Sequence, residues 1–446
     1  MKKFFTTLSN IWKIDDLRVR ILNTLLFLLI YRVGSFVVLP GVNAATLNAK
    51  NASNGITGLL NMFAGGSFGR ASIFALGVMP YISASIVVQL LGIAVPYFAK
   101  LQKEGESGRN KLNQWTRYLT IGITALQAIG YLRSQITPEQ MLIANPYFTV
   151  MNMFILTAST MFIMWLGEKI TDKGIGNGIS LIIMVGIIAA LPGAFAGEFV
   201  SRTTGAGGLI TFIVEVVALM AVVMFTVLIV QGVRKVAVQY AKRIVGNKQY
   251  GGVRQYIPLK VTAAGVMPII FAQALMFIPA TIASVFPKIA SNAVLMSLSD
   301  YTSWGHNILF AILIIAFTYF YTAITVNPNQ MAEDMKKNGG FIPGVKPGRS
   351  TGEFLDGVIS RITLPGSIFL AIIAIIPAFA GMVHISTAFA RFFGGTSLII
   401  LVQVVLDTLQ QIESHLLMRH YDGLMKTGRI KGRTPVSTGG AGQPVI

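Results

Sequence analysis

The stretch SFGRASIFALGVMPYISASIVVQLL (Ser67–Leu91) contains one charged residue, Arg70, in 25 positions. From Ala71 onward it is long and apolar enough to cross the hydrocarbon core of a membrane as a helix, which takes about 20 residues. Its tetrapeptide GVMP (Gly77–Pro80) recurs 188 residues later as Gly265–Pro268. This stretch therefore predicts a membrane-spanning helix and an internal repeat.

Similar apolar runs occur along the whole chain of 446 residues, of which 53% are hydrophobic and only 12% charged. Soluble domains carry about 25% charged residues. The runs do not alternate apolar and polar residues as the strands of a membrane barrel do. We therefore predict an all-α integral membrane protein with ten transmembrane helices, at Ile21–Leu39, Ala71–Leu91, Trp115–Leu132, Tyr147–Leu166, Gly178–Phe195, Gly208–Val230, Val261–Phe286, His306–Val326, Ile362–Phe379 and Thr396–Leu417.

The repeat offset of 188 residues also relates other predicted spans. It carries the first span onto the sixth and the third onto the eighth. Because an odd number of spans separates the copies, the two halves would cross the membrane in opposite directions. Inverted repeats of this kind are typical of proteins with a pathway between their halves. We predict two pseudo-symmetric five-helix halves, residues 21–200 and 201–417.

Positive charge is distributed unequally between the two sides. Of the 36 Lys and Arg residues, 29 fall in segments on the side of the termini, 6 fall in the opposite loops, and Arg32 lies within the first span. The excess of Lys and Arg marks the cytoplasmic side. We therefore expect both termini in the cytoplasm, with residues 1–20 forming a surface helix and residues 418–446 a tail. The N-terminus resembles neither a cleaved signal nor a transit peptide, so we expect a multi-pass protein of the bacterial plasma membrane.

Two long loops on the cytoplasmic side are strongly basic. Residues 231–260 carry seven Lys or Arg and no Asp or Glu, and residues 327–360 contain GGFIPGVKPG (Gly339–Gly348). Such loops can anchor a protein beside anionic lipid, which needs only a few basic residues per loop. They can also dock a large acidic partner, such as ribosomal RNA or a motor protein. Seven uncompensated charges favour docking.

The segment between the first two spans, Gly55–Arg70, is half apolar, contains five glycines and is too short to cross. It is either a re-entrant segment that is buried in protein or lines a cavity, or an ordinary loop. The residues alone leave both interpretations open.

Catalytic motifs are missing from the sequence. The chain has no cysteine, its four histidines do not form HExxH, and it has no GxSxG or Walker motif. We therefore predict no enzyme activity, metal site or cofactor. The rival class is a secondary transporter with inverted repeats, which usually places ionisable groups at the midplane to couple ions. The candidates for that role are Arg32, Glu215, Asp407 and Glu413.

Over nearly its whole length the sequence resembles the SecY family, the channel subunit of the bacterial Sec protein translocase. The most specific stretches are Ser67–Leu91, Gly176–Ile187, Val238–Arg243, Pro258–Ala272, Gly339–Gly348 and Phe392–Ile400. The resemblance implies a channel that translocates unfolded preproteins and releases hydrophobic segments sideways into the membrane. It also implies a re-entrant plug helix at about residues 55–70.

The resemblance further implies roles for particular residues. A pore ring of aliphatic side chains falls on Ile82, Ile86, Ile183, Ile187, Ile270 and Ile400. The plug comprises Gly58, Leu59, Leu60, Asn61, Met62, Phe63, Ala64, Gly65 and Gly66. A lateral gate between the second and seventh helices involves Gly77, Pro80, Gln89, Gly265, Pro268 and Gln273. Docking of the ribosome and the SecA ATPase falls on Arg234, Lys235, Lys242, Arg243, Lys346 and Arg349.

The expected partners follow from the same resemblance. They are SecE-like and SecG-like small membrane subunits, the SecA ATPase, the ribosome through its RNA, preprotein signal sequences and anionic lipids. One departure from the family pattern is Lys346, where an arginine is common. Lysine keeps the charge but lacks the planar fork of arginine. Arg349, three residues further on, is placed to compensate.

Overall fold

The computed structural model describes residues 14–43, 61–142, 147–204, 208–240, 243–245, 248–250, 254–285, 297–298, 303–382 and 385–427. Most of these residues are helical. The helices are α1 (Asp15–Gly34), α2 (Met79–Ala94), α3 (Pro96–Lys103), α4 (Glu106–Gln135), α5 (Tyr147–Lys173), α6 (Gly178–Thr204), α7 (Gly208–Val230), α8 (Met267–Val285), α9 (Trp304–Thr325), α10 (Pro328–Lys337), α11 (Arg349–Met382), α12 (Thr387–Ala390) and α13 (Gly395–Thr427). The strands are β1 (Val233–Tyr240), β2 (Arg243–Val245), β3 (Lys248–Tyr250), β4 (Arg254–Lys260) and β5 (Gly340–Phe341).

Every predicted span overlaps one of these helices. Six helices of the described chain are long and apolar enough to cross a membrane, or seven if α2 and α3, bent by 103° at Val95, count as one. They establish a multi-pass helical membrane protein. The helices α1 and α4 carry more polar and charged residues, and the apolar described part of α8 is short, Met267–Met276. The number ten therefore stays a prediction.

Several helices begin elsewhere than hydropathy predicts: α4 begins nine residues before Trp115, and α11 begins thirteen residues before Ile362. α1 begins at Asp15, within the segment expected to lie on the surface, and runs into the first span without a break. α2 begins eight residues after the predicted Ala71, and α8 begins at Met267 instead of Val261. Turns precede α2 and α8. Apolar turns and apolar helices have the same hydropathy, so composition cannot separate them.

The repeated GVMP explains both late starts. Gly77 and Gly265 have φ of 55° and 67°, a left-handed conformation that glycine adopts at no steric cost. The helix begins two residues later in each copy, with proline in its first turn, where a missing N–H is harmless. The starts of α2 and α8 are thus 188 residues apart, which is the offset of the sequence repeat.

The helices before residue 205, here the first half, meet those from residue 208 onward, the second half, in two places. In one contact α8 packs against α2 and α4. In the other α6 packs against α7, α12 and α13. Buried residues of both halves form one hydrophobic cluster between these contacts.

The two predicted basic loops form one folded unit, which departs from an all-α prediction. β1 pairs antiparallel with β4 of the same loop and with β5 of the other loop. Val236 and Val238 of β1 pack against Leu259 of β4 and against Met335 and Leu355 of α10 and α11. We call β1, β4, β5 and α10 the sheet unit. The two-residue spacing of Val236, Val238 and Tyr240 was its signal in the sequence.

Candidate pore between the two halves

The six predicted ring isoleucines come together. They lie on α2, α6, α8 and α13, are 0–7% exposed, and belong to a single cluster of buried residues. The pairs Ile82/Ile86 and Ile183/Ile187 are each four residues apart, so both members of a pair share one helix face. Four helices, two from each half, thus meet through aliphatic side chains. A collar of this kind excludes ions and water without directional bonds.

The described part of the predicted plug, Asn61–Gly66, covers this cluster; Gly58, Leu59 and Leu60 lie outside the described residues. Met62 and Phe63 are 5% exposed and belong to the same cluster as the ring. The short helix ends at Gly65, with φ of 63°, and the Gly66 N–H donates to the Asn61 carbonyl at 2.7 Å. This is the bond that commonly closes a helix at a left-handed glycine.

A close backbone approach seats the plug on α6. A Cβ atom at Gly186 would lie 2.4 Å from the Phe63 carbonyl oxygen, so only glycine fits without a shift. After the plug, the Tyr131 hydroxyl of α4 donates to the Phe68 carbonyl at 2.7 Å. On the side of the second half, the Ser397 hydroxyl lies 3.6 Å from the Met62 sulfur.

Two arginines converge on the end of the plug helix. Arg32 of α1 and Arg70 each donate to the Gly65 carbonyl, at 2.8 and 2.9 Å. Both guanidinium groups also lie over the Phe36 ring, 4.8 and 4.4 Å from its centroid. In the sequence, Arg32 lies within the first predicted span and is one of the candidate midplane ionisable residues.

The predicted gate residues have different surroundings. Gln89 of α2 accepts a hydrogen bond from the Tyr321 hydroxyl of α9, which joins the two halves. Gly77, Pro80, Gly265 and Pro268 shape the starts of α2 and α8. Gln273 is 3% exposed and lines a cavity of about 40 Å³ within the second half. Tyr321 was missed because no motif marks it.

Of the predicted docking residues that the structure describes, two lie on the sheet unit and three lie outside it. Arg234 and Lys235 are exposed on β1, and Lys346 is exposed after β5. Arg349 begins α11 and pairs with Glu353 at 3.2 Å in an exposed i, i+4 pair. Arg243 begins β2, and Lys242 lies outside the described residues.

The ionisable residues expected of a transporter are dispersed. Glu215 joins Arg202 and Glu198 in a buried cluster between α6 and α7, with Arg202 at 2.6 Å from Glu215 and 2.9 Å from Glu198. Glu198 also accepts from the Ser386 backbone N–H at 3.1 Å. Asp407 and Glu413 lie elsewhere, on α13. In the described part of the chain, no group of three His, Asp or Glu side chains is placed to hold a metal ion.

Together these features define a class: a multi-pass helical membrane protein whose two halves meet through a cluster of buried apolar side chains that includes a short segment between the first two spans. A family model described as SecY matches residues 72–409. The chain belongs to the SecY family.

Individual relatives extend the match over nearly the whole chain. The protein translocase subunit SecY of Halalkalibacterium halodurans is 44% identical over 431 residues, covering 95% of this chain and all of the relative. A solved SecY structure, described as one whose plug domain stabilises the closed state of the translocation channel, has a TM-score of 0.64 at 18% identity and covers 92% of this chain and 95% of its own. Canine Sec61 in a ribosome-channel complex has a TM-score of 0.63 at 17% identity, with the same coverage.

Proposed function

We propose that this chain is the protein-conducting channel of a bacterial Sec translocase and moves unfolded preproteins across the membrane. One observation carries the proposal: six isoleucines from four helices of both halves form one buried cluster, with Met62 and Phe63 of the plug seated in it. The name of the Halalkalibacterium relative, a protein translocase subunit, supports the same function.

The ring and the plug would act as two seals in series. A narrow aliphatic collar is dewetted and resists ions, yet it makes no directional bonds and can spread around any passing side chain. The plug adds a second barrier while the channel is idle. A substrate displaces the plug and replaces it in the collar.

Hydrophobic segments would leave sideways between α2 and α8. The contact of α8 with α2 and α4 joins the two halves beside the ring. Its Gln89–Tyr321 hydrogen bond is easily exchanged for water when the halves part. A segment of sufficient hydrophobicity then partitions into lipid, as the spans of this chain do.

The sheet unit would dock the cytoplasmic partners. Arg234 and Lys235 are exposed on it, where the sheet holds them in fixed positions, and Lys346 is exposed in the loop after β5. The canine neighbour was solved in a ribosome-channel complex, which supports a ribosome contact. The SecA ATPase would use the same surface and supply the work of translocation.

The setting would be the bacterial plasma membrane with both termini in the cytoplasm. The asymmetry of Lys and Arg supports this orientation and favours contact with anionic lipids. SecE-like and SecG-like subunits would bind the helices from outside. The signal sequence of a preprotein would enter at the gate.

The ring is tested by Ile86→Asn and Ile270→Asn in the purified complex. A polar side chain wets the collar, so we expect the resting ion conductance in planar bilayers to rise severalfold. The matched control is Ile312→Asn on α9, where the side chain is 58% exposed. Unchanged conductance in both ring variants would refute the proposed pore.

Docking is tested by reversing charge at Lys242 and Arg243 to Glu. Ribosome and SecA binding should be lost in a sedimentation assay, because the phosphates of RNA and acidic side chains then meet like charge. The control is Arg133→Glu, an exposed basic residue at the end of α4. Binding that survives the double reversal would exclude Lys242 and Arg243 as docking residues.

A further inference from the structure

Arg32 lies within the first predicted span, and neither the ring nor the gate uses it. Its guanidinium donates to the Gly65 carbonyl at 2.8 Å. The chain between residues 17 and 103 contains no Asp or Glu. Within the described residues Arg32 forms no salt bridge. Its interactions with a neutral carbonyl and an aromatic ring can be broken without leaving a buried carboxylate behind.

The two arginines at Gly65 differ in what they join. Arg70 lies five residues after Gly65 and would move together with the plug. Arg32 lies 33 residues away on α1, so its bond joins the plug to the helical wall. The two like charges repel each other, and the Phe36 ring face beneath both partly offsets this repulsion. Arg32 is therefore the group through which α1 holds the plug.

The plug segment is attached unequally to the two halves. On the first half, besides Arg32, the Phe63 backbone is seated against Gly186. The chain after the plug pairs with the segment that follows α1. The Leu39 N–H donates to the Ala71 carbonyl at 2.8 Å, and the Ile73 N–H donates to the Val37 carbonyl at 2.9 Å. On the second half, the described residues provide apolar packing and the Ser397–Met62 contact at 3.6 Å. A thioether is a weak acceptor.

We propose that Arg32 is a positioning residue that holds the plug on the first half, so that the plug stays with this half when the two halves part. This inference rests on the proposed function. It makes one side chain, Arg32, responsible for keeping the plug in the closed channel. Parting of the halves breaks the weak Met62–Ser397 contact first. Release of the plug from the pore then requires exchange of the Arg32–Gly65 bond.

The first test compares Arg32→Gln, Arg32→Lys and the matched control Arg133→Gln in the purified complex. A hydrogen bond from a charged donor contributes enough that its loss should raise the fraction of time the plug is displaced by about tenfold to a hundredfold. Resting conductance should rise accordingly in Arg32→Gln, less in Arg32→Lys, which keeps the charge, and not in Arg133→Gln. If Arg32→Gln does not accumulate, the conductance of Arg32→Lys relative to the parent decides whether Arg32 holds the plug.

The plug position is measured directly with engineered cysteines, since the natural chain has none. Met62→Cys with Ser397→Cys should cross-link in the resting channel, and adding Arg32→Gln should lower the yield. A variant lacking residues 61–66 distinguishes the proposal that the plug seals the channel from the proposal that Arg32 holds the plug. If it leaks while Arg32→Gln stays as tight as the parent, Arg32 does not hold the plug. If the deletion itself stays tight, the plug is not a seal, and this inference falls with it.

Discussion

The two contacts between the halves are built from different chemistry. Where α8 meets α2 and α4, the packing is apolar, and the polar tie beside it is the neutral Gln89–Tyr321 hydrogen bond. Where α6 meets α7 and α12, a buried cluster of Arg202, Glu198 and Glu215 joins the helices. Apolar contacts have no fixed geometry and re-form after separation. A buried ion pair is directional, and losing one partner strands a charge.

This difference assigns separate mechanical tasks to the two contacts. If the channel opens between its halves as proposed, the contact of α8 would part and close again, while the cluster on α6 would keep the halves in register. Glu198 ties in a third segment through the Ser386 backbone N–H, so the cluster spans α6, α7 and the chain before α12. Phe195 and Phe389 pack edge to face beside it, with centroids 6.0 Å apart. Under the proposed function, the side with the ionic cluster would be the hinge.

The largest expected effect comes from breaking the hinge with Arg202→Met. The two carboxylates would be left buried without their guanidinium, and breaking a buried pair costs about 3–5 kcal/mol. We expect a clear loss of thermal stability of the purified complex. The matched control is Arg117→Met, which removes an exposed pair with Glu168 and should cost at most about 1 kcal/mol. Equal losses in both variants would refute a special role of the cluster.

Hydropathy located the core of every long helix but not the pairing that makes the hinge. Glu198 lies three residues beyond the end of the predicted fifth span, and Glu215 was considered only as an isolated charge. Their meeting at Arg202 depends on how α6 and α7 pack. The bond between Gln89 and Tyr321 spans 232 residues and has no local signal either.

The repeat and the ring could be predicted from the sequence more readily than these long-range contacts. Gly77 and Gly265 mark equivalent turns because only a backbone property, a positive φ, is needed there. Ile82 and Ile270 follow at the same distance and do enter one cluster. The sheet unit was missed although β1 alternates in the expected way. The basic charge of these loops indicated partner binding and not a fold. The pairing of β1 with β5 joins segments about 100 residues apart, which local sequence patterns do not predict.

The seat of the plug gives an intermediate effect that leaves the hinge untouched. Gly186→Ala would place a Cβ atom 2.4 Å from the Phe63 carbonyl oxygen and push the plug backbone off α6. Overpacking of this kind costs about 1–3 kcal/mol. We expect higher resting conductance with little change in thermal stability. Gly193→Ala and Gly197→Ala on the same helix meet no atom within 4 Å and should conduct as the parent does.

A smaller effect should follow from Tyr321→Phe, which loosens the contact between the halves where α8 meets α2 and α4. This change removes the hydrogen bond to Gln89 and keeps the ring that packs on Phe271, 4.9 Å between centroids. A neutral hydrogen bond contributes about 0.5–1.5 kcal/mol, so parting of α2 from α8 should become about twofold to tenfold more frequent. Distances between spin labels on α2 and α8 measure this. Tyr319→Phe, two residues away on the same helix and 36% exposed, is the control.

The smallest effect on folding is expected at the start of α11, which lies outside both contacts. Arg349→Ala removes an exposed pair with Glu353 that contributes less than about 1 kcal/mol, because solvent screens it and both side chains lose freedom. Thermal stability and conductance should stay at the parent level, while binding of ribosomes or SecA weakens because one exposed cation is lost. Glu353→Ala is the matched control, since it breaks the same pair but keeps the cation. If both variants weaken binding equally, the pair itself matters and Arg349 is not a docking contact.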